Sequence, residues 1–256
     1  MSRINILFEK KPKRVLNVYC TAGFPSLNDT LEIMQHLQDC GADLIELGMP
    51  YSDPLADGPV IQGSSLVALD NGMTVKTLFQ QLQGFRKHIH VPVVLMGYMN
   101  TVLQYGFEKF CEEAASVGID GLILPDLPAF EYEKSYGPII KKHGLDFIFL
   151  VTPETSNERV KMLDSMSSGF LYAVSSSSTT GKDKQFGDVS SYLKRLNGLE
   201  LKNPLLVGFG IKDKQTFDAV QEYANGAIIG TAFIQAIGKS TNLKKDITSF
   251  IHQVIA

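Results

Sequence analysis

The chain alternates eight short apolar runs with eight segments of helical periodicity, and this alternation limits the folds open to it. Strands buried on both faces of a parallel sheet have nearly continuous apolar sequences. Such runs lie at residues 15–21, 43–48, 92–97, 119–125, 146–151, 170–175, 204–208 and 226–230. Eight strand–helix units favour a closed α/β fold, the (β/α)8 or TIM barrel, over an open doubly wound sheet, which commonly has five or six strands.

The segments between these runs carry apolar residues at helical spacing. The first helix is expected to start at Asn28 or Asp29 and to end at Gly41, and a short extra helix over residues 2–10 is expected to close the bottom of the barrel. The other predicted helices span residues 75–86, 107–117, 131–143, 156–167, 189–196, 212–223 and 243–254. Residues 49–74, after the second strand, and 176–188, after the sixth, are predicted to be long loops of the kind that carry catalytic groups.

Length and charge narrow the class of protein further. A chain of 256 residues has the length of one (β/α)8 domain, about 250 residues, so a single domain over residues 1–256 is expected. A net charge of −3 and a pI near 6.0 argue against nucleic acid or an anionic membrane as the main partner. The amino terminus is too charged for a secretory signal. Three widely spaced cysteines (Cys20, Cys40, Cys111) are expected to be reduced thiols in a cytoplasmic protein.

Glu46 is a carboxylate inside an otherwise apolar strand. Side chains alternate along a strand, so Leu44, Glu46 and Gly48 share one face, while Ile45 and Leu47 share the other. If the second face meets the helices, Glu46 points into the barrel near its upper end. Burial would then raise its pKa and suit it to transfer protons near neutrality. A structural carboxylate bonded to nearby backbone N–H groups is the equally weighted alternative.

Three aspartates are expected on the same end of the barrel. Asp53 and Asp57 follow Glu46 within one loop, and Asp126 ends the fourth strand. Aspartate before proline or glycine often serves only turn geometry. The position one loop beyond Glu46 favours a substrate contact for Asp57, and a supporting or partner-binding role for Asp53.

Glycines follow three consecutive strands where barrels often bind phosphate. Gly208 and Gly210 end the seventh strand, Gly230 and Thr231 end the eighth and open a short helix, and Thr180 and Gly181 follow the sixth. Barrel phosphate sites commonly lie at the loops after strands seven and eight, on the N-terminus of such a helix. The three glycine turns together therefore predict a phosphorylated substrate.

The predicted strands lack the residue types that two common kinds of barrel chemistry require. None of the five histidines falls at the carboxyl end of a predicted strand, so a histidine-ligated metal is not expected. No lysine lies within a predicted strand, which argues against a Schiff-base aldolase. Acid–base chemistry by carboxylates on a phosphorylated substrate remains. Tyr172, in the sixth strand, would add a hydroxyl to the pocket or fill the core.

The motif ELGMPYSDPLADGP (residues 46–59) resembles the signature of the tryptophan synthase α subunit family, E-L-G-x-P-[FY]-S-D-P-x-A-D-G-P. Further segments resemble the family in the same order along the chain. They are YCTAGFP (19–25), IQGSSLVAL (61–69), LPDLP (124–128), GFGI (208–211) and GAIIGTAF (226–233). The resemblance therefore extends over almost the whole chain.

The resemblance implies a lyase that cleaves indole-3-glycerol phosphate to indole and glyceraldehyde 3-phosphate without a cofactor or metal. It implies that Glu46 is the general acid/base and that Asp57 stabilises the polarised indole ring. Tyr172 would line the pocket near Glu46. The implied phosphate contacts are Thr180, Gly181, Gly210, Gly230 and Thr231. A tryptophan synthase β subunit is the implied partner, in an α2β2 complex, and Pro50 and Asp53 would face it.

Two segments depart from the family pattern. Loop six reads SSSSTTG (175–181) where the family usually has S-R-x-G-V-T-G, so Ser176 replaces an arginine and Ser178 a glycine. Phe24 stands where aspartate is common. Two alternatives therefore stay open: a lyase that releases free indole without a β subunit, and a weakly active barrel that mainly activates its partner.

Overall fold

Nine parallel strands form one sheet in the computed structural model, which describes residues 2–174, 186–208 and 210–256. The strands are β1 (Val15–Thr21), β2 (Leu44–Gly48), β3 (Val93–Met96), β4 (Gly121–Ile123), β5 (Asp146–Phe147), β6 (Leu150–Val151), β7 (Leu171–Val174), β8 (Leu205–Gly208) and β9 (Gly226–Ile229). Their order is β5-β4-β3-β2-β1-β9-β8-β7-β6. All eight predicted runs are strands, and the fifth is divided in two.

The two edge strands of this sheet are consecutive pieces of one segment, residues 146–151. β5 pairs with β4, and β6 pairs with β7. Between them, the Ile148 N–H donates to the Leu122 carbonyl at 3.0 Å, and the Phe149 carbonyl accepts from the Tyr172 N–H at 3.0 Å. The segment therefore joins both edges and closes the sheet, which confirms the predicted TIM barrel.

Helices alternate with the strands. They are α1 (Arg3–Lys10), α2 (Thr30–Asp39), α3 (Pro59–Asp70), α4 (Val75–Gln81), α5 (Met99–Tyr105), α6 (Phe107–Val117), α7 (Ala129–Glu131), α8 (Gly137–Lys142), α9 (Asn157–Met166), α10 (Phe186–Asn197), α11 (Lys214–Val220), α12 (Thr231–Ile237) and α13 (Leu243–Ile255). A 3-10 turn spans Phe85–Lys87, and a π-helical turn, Tyr132–Tyr136, connects α7 to α8. Among the described residues, no helix is both long and apolar enough to cross a bilayer.

Two helices were not expected from the sequence. α3 occupies half of the segment 49–74, which was predicted to be a loop, and α5 follows β3 directly. α3 contains Gly63, Ser64 and Ser65, residue types with lower helix propensity than alanine or leucine. It nevertheless buries Ile61, Ser64, Ser65 and Ala68. Tertiary packing therefore stabilises a helix that local propensity does not indicate.

The alternation along β2 is as predicted. Leu44 belongs to the apolar cluster inside the barrel, together with Val94, Ile123 and Leu206 from other strands. Ile45 and Leu47 belong to the larger cluster between the strands and the helices. The same alternation places Glu46 on the interior face of β2.

α1 lies at the amino-terminal end of the barrel. Ile4 and Phe8 are buried in the interior cluster. Arg3 pairs with Asp120 at 2.9 Å, and Lys11 pairs with Asp43 at 2.6 Å, both carboxylates lying just before a strand. This end is therefore closed by packing and ion pairs, and the opposite end is left for the loops that follow the strands.

Candidate active site

Glu46 is buried inside the barrel, with only 1% of its surface exposed. It is the middle residue of β2, two residues from the carboxyl end of that strand. Its Cα partners are Tyr19 on β1 and Val94 on β3. The carboxyl group is therefore surrounded by neighbouring strands and shielded from water.

Asn17, on β1, supplies the hydrogen bond to this carboxyl group. Its Nδ2 donates to Glu46 Oε2 at 3.0 Å. Burial raises the pKa of Glu46 from an ordinary value of 4.5 to about 8, the bond from Asn17 opposes the rise, and the negative charge of Asp57 adds to it. Glu46 is therefore protonated in most molecules at neutral pH, and it can both donate and accept a proton in that range.

We expect this shifted pKa to make stability depend on pH. Between the unfolded pKa near 4.5 and the folded pKa of about 8, the unfolded chain ionises Glu46 while the native chain keeps it protonated. The free energy of unfolding therefore falls as pH rises through this window, by about 1.4 kcal/mol per pH unit for this group. The Glu46→Gln variant lacks the group, so its stability relative to the parent should increase from pH 4.5 to pH 8 and level off above.

Denaturant unfolding of the parent and of Glu46→Gln between pH 4 and pH 9 measures the difference between their free energies of unfolding. A stability difference that stays constant across the window would show that Glu46 ionises at its ordinary pKa in the native protein. The comparison uses no substrate, so it reports the environment of the carboxyl group alone.

Asp57 lies in the loop between β2 and α3, close to Tyr98 at the start of α5. The Tyr98 hydroxyl donates to the Asp57 carboxyl, and it also accepts from the Ala56 N–H at 3.1 Å. Burial raises the pKa of Asp57, and the bond from Tyr98 lowers it. The structure thus brings Glu46 and Asp57 within electrostatic reach of each other. Sequence reasoning missed Tyr98, because no local motif connects it to residue 57.

Two tyrosines complete the wall of the site. Tyr19 lies over Gly48, and Tyr172 lies over Gly208, so that a Cβ on either glycine would collide with the ring. Burial raises the pKa of both tyrosines above the ordinary value, so both hydroxyls keep their protons. Tyr172 was predicted in the pocket. Tyr19 was not, although its alternation with Val15 and Asn17 could have indicated it.

The predicted phosphate residues that the structure describes lie after β8 and β9. Gly230 precedes the first residue of α12, Thr231, whose side chain is exposed. Gly210 has a φ of +46°, a left-handed conformation that glycine adopts without strain. A Cβ on Gly230 would lie 3.5 Å from Tyr19 Cβ, so this turn adjoins the carboxylate site. Thr180 and Gly181 lie outside the described residues, as do Ser176 and Ser178.

A cavity of about 260 Å³ opens beside the carboxyl ends of β4 and β6. Its lining combines apolar residues of the segment after β4 and of residues 148–150 with Thr155 and Arg159. Asp126 also borders it, but both of its carboxylate oxygens accept the Met99 N–H at 3.0 Å. This bond ties Asp126 to the first turn of α5.

The two predicted partner contacts differ in exposure. Asp53 is exposed and accepts from the Ser52 hydroxyl at 2.5 Å. Pro50 is buried and lines an apolar cavity of about 230 Å³ between the loop after β2 and the start of α4. Across the three described ranges, no three histidine, cysteine, aspartate or glutamate side chains are grouped so that they could hold a metal ion.

Phe24, which departs from the family pattern, is 8% exposed and belongs to the core between strands and helices. Its ring tip lies 3.3 Å from where a Cβ on Gly238, just after α12, would stand. The aromatic side chain therefore packs the loop after β1 against the end of α12, an apolar contact that an aspartate could not make.

Known proteins with the same sequence features and fold identify the family. The family model for the tryptophan synthase alpha chain matches residues 7–254. The tryptophan synthase alpha chain of Flavobacterium johnsoniae is 51% identical over 246 residues, which cover 96% of each chain. That of Christiangramia forsetii is 51% identical over 257 residues, covering 100% of this chain and 99% of the relative.

A solved structure agrees with these relatives. The crystal structure of the tryptophan synthase alpha chain from Legionella pneumophila subsp. pneumophila superposes with a TM-score of 0.90 at 34% identity, covering 99% of this chain and 95% of the other. The match spans the strands that carry Glu46, Tyr19 and Tyr172 as well as the turns after β8 and β9. The chain belongs to the tryptophan synthase alpha chain family, and it is a lyase that acts on indole-3-glycerol phosphate.

Proposed function

We propose that Glu46 and Asp57 carry out the cleavage of indole-3-glycerol phosphate to indole and glyceraldehyde 3-phosphate. The observation that supports this assignment best is the buried Glu46 carboxyl, whose pKa of about 8 allows proton transfer in both directions near neutrality. Asp57 lies within electrostatic reach of it. Both belong to the motif that the family shares.

In this mechanism the protonated Glu46 donates its proton to the indole ring carbon that bears the glycerol chain. The ring becomes cationic, and the Asp57 carboxylate stabilises it by accepting a hydrogen bond from the ring N–H. The Glu46 carboxylate then accepts the proton of the hydroxyl on the adjacent chain carbon. The O–H electrons form the aldehyde, the carbon–carbon bond breaks, and its electrons return to the ring. Glu46 ends the cycle protonated, so turnover should fall as pH rises through about 8.

The other residues bind the substrate. Tyr172 would contact the indole ring beside Glu46, and Tyr19 would lie between the ring and the phosphate turn. The backbone N–H groups at Gly210, Gly230 and Thr231, with Thr180 and Gly181 from loop six, would hold the phosphate. The position of Gly230 and Thr231 at the start of α12 supports this, because a helix N-terminus favours an anion.

Release of indole from synthetic indole-3-glycerol phosphate by the purified chain tests this function directly. We expect indole and glyceraldehyde 3-phosphate in equal amounts, and faster release when a tryptophan synthase β subunit is added. Failure to form indole both with and without the β subunit would contradict the proposal. Equal rates in the two assays would instead favour a lyase that works alone.

The partner is proposed to be a tryptophan synthase β subunit in an α2β2 complex, bound at the carboxyl-terminal end of the barrel. Three large apolar side chains are exposed in the connections after β2, β3 and β4: Leu55 at 80%, Leu103 at 48% and Phe130 at 65%. Such a group of exposed apolar residues is typical of an interaction surface. Asp53 and the Pro50 segment adjoin Leu55 in sequence, which supports their assignment to the interface.

The Leu55→Asp variant is expected to weaken binding of the β subunit by tenfold or more, because a charge would replace the most exposed of these apolar side chains. Titration calorimetry with the β subunit measures the change, and indole release by the free chain should not change. Ile6→Asp is the matched control, since Ile6 is exposed on α1 at the opposite end of the barrel. Equal affinities for both variants would place the interface elsewhere.

We also propose that the chain is a single domain and that it is located in the cytoplasm. All nine described strands belong to one sheet, which supports a single domain over residues 1–256. The three cysteines are free, which is consistent with a cytoplasmic protein. Cell fractionation with an antibody to the chain tests the location.

A further inference from the structure

Asn17 lies inside the barrel at a position that the reaction described above does not use. It is fully buried on β1, on the face that it shares with Val15 and Tyr19. Barrel interiors are normally filled by branched apolar side chains. An amide at this position therefore requires an explanation.

The two ends of the amide differ in their partners. Nδ2 donates to Glu46 Oε2 at 3.0 Å. Oδ1 is buried and has no hydrogen-bond partner among the described residues. A buried acceptor without a partner costs free energy that an apolar side chain would avoid. This cost points to a role for the amide at the carboxyl group that it contacts.

The amide is complementary to both protonation states of that carboxyl group. A carboxylate accepts a hydrogen bond, and Nδ2 supplies the donor. A protonated carboxyl also has a proton to donate, and Oδ1 is an acceptor on the same amide. Because Nδ2 and Oδ1 sit on the same carbon, a half-turn about the Cβ–Cγ bond places Oδ1 where Nδ2 now lies. It can then accept from a protonated Oε2.

We propose that Asn17 is a positioning residue that holds the Glu46 carboxyl group in one orientation both before and after proton transfer. This inference rests on the proposed function, in which Glu46 gives up one proton and regains another in each cycle. Without the amide, the carboxylate would lose its donor and the acid would lose its acceptor. The carboxyl group could then rotate away from the indole ring.

The other titratable groups near Glu46 do not interfere with a measurement of its pKa. Tyr19 and Cys20 from β1 and Tyr172 from β7 have pKa values raised by burial, that of Cys20 to about 12. These three groups remain neutral while Glu46 titrates. On the β3 side the Cα partner is the apolar Val94. Among the residues that the structure describes, Asp57 is the charged neighbour of Glu46, and its effect can be measured separately in Asp57→Asn.

The test is a titration of Glu46 in the whole chain without substrate. Glutamate side chains are labelled with ¹³C at the carboxyl carbon, and the Glu46 resonance is identified by its absence in Glu46→Gln. In Asn17→Leu, which removes donor and acceptor together, the pKa of Glu46 should rise by about one unit. The charge-assisted bond to the carboxylate is the stronger of the two that are lost.

Kinetics of the same variant provide a second readout. The turnover number should fall about tenfold, because a misoriented catalytic group reacts poorly, while KM changes less than threefold. The fall of turnover at alkaline pH should move upward with the pKa of Glu46. Val94→Ile is the matched control, since it alters apolar packing beside Glu46 and leaves the amide in place. Its Glu46 pKa should stay within about 0.3 units of the parent value.

Different results overturn different conclusions. A Glu46 titration in Asn17→Leu that coincides with that of the parent would overturn the role of Asn17. If Asn17→Leu does not fold, Asn17→Val, which suits a strand, gives the same readout. Full turnover in Glu46→Gln would overturn the proposed function instead, whatever Asn17 does to the pKa of Glu46.

Discussion

Replacing Glu46 with glutamine is expected to lower the rate of indole release by about 10³-fold, within the range that general acid–base catalysis contributes. Glutamine has nearly the same shape and can still accept the bond from Asn17 Nδ2, but it has no proton to transfer to the ring carbon. The fold and the affinity for the phosphate group should be retained. Steady-state release of indole and fluorescence-monitored binding of glycerol 3-phosphate measure the two effects.

A second buried carboxyl group provides the control for this variant. Asp146 is 9% exposed at the start of β5, near the closed end of the barrel. Burial also raises its pKa, but it lies at the end of the sheet opposite to the active site. Asp146→Asn should therefore keep its turnover within a few-fold of the parent. Turnover of Glu46→Gln close to that of Asp146→Asn would contradict the catalytic role of Glu46.

Replacing Asp57 with asparagine is expected to lower the turnover number by about 10²-fold, because the cationic ring would lose its charged partner. Asparagine can still interact with Tyr98, so the loop should keep its position. The negative charge of Asp57 raises the pKa of Glu46, so removing that charge should lower this pKa. The fall of turnover at alkaline pH should then begin at a lower pH than in the parent.

The pH profile separates this electrostatic effect from a general loss of structure. Asp70→Asn is the control, because Asp70 is an exposed carboxylate at the end of α3, the helix that follows the same loop. It should change neither the rate nor the profile. A profile of Asp57→Asn that moves toward higher pH would contradict the assigned electrostatic coupling between the two carboxylates.

The strands could be predicted from the sequence because burial on both faces leaves a continuous apolar run. The interior face of β2 was also predictable, since alternation separates Leu44 and Glu46 from Ile45 and Leu47. The interruption between β5 and β6 was not predictable. The interruption depends on which neighbouring strand each residue of 146–151 hydrogen-bonds to. The sequence does not show this, because every residue of the segment after Asp146 is apolar. α5 was missed because it is only seven residues long and Gly106 alone separates it from α6.

The candidate site was predictable as far as a local motif extends. Glu46 and Asp57 lie in one stretch of fourteen residues, which sequence reasoning can recognise. Asn17 lies 29 residues before Glu46, and Tyr98 lies 41 residues after Asp57. Their contacts arise only when β1, β2 and β3 pair side by side. A single asparagine or tyrosine near a strand carries no sign of the partner that the fold will bring to it.

Because the fifth strand is divided, the extent of strand pairing differs from one side of the barrel to the other. β1 and β2 pair over five residues, whereas β5 and β6 each pair with their neighbour over two. Thermal opening of the barrel should therefore begin between β5 and β6, at Ile148 and Phe149, which border the 260 Å³ cavity. β1 and β2, which carry Asn17 and Glu46, lie on the opposite side of the barrel, where strand pairing is more extensive. The proton transfer that we propose for Glu46 would therefore take place where strand pairing is most extensive, and any opening that admits or releases a ligand would take place on the opposite side of the barrel.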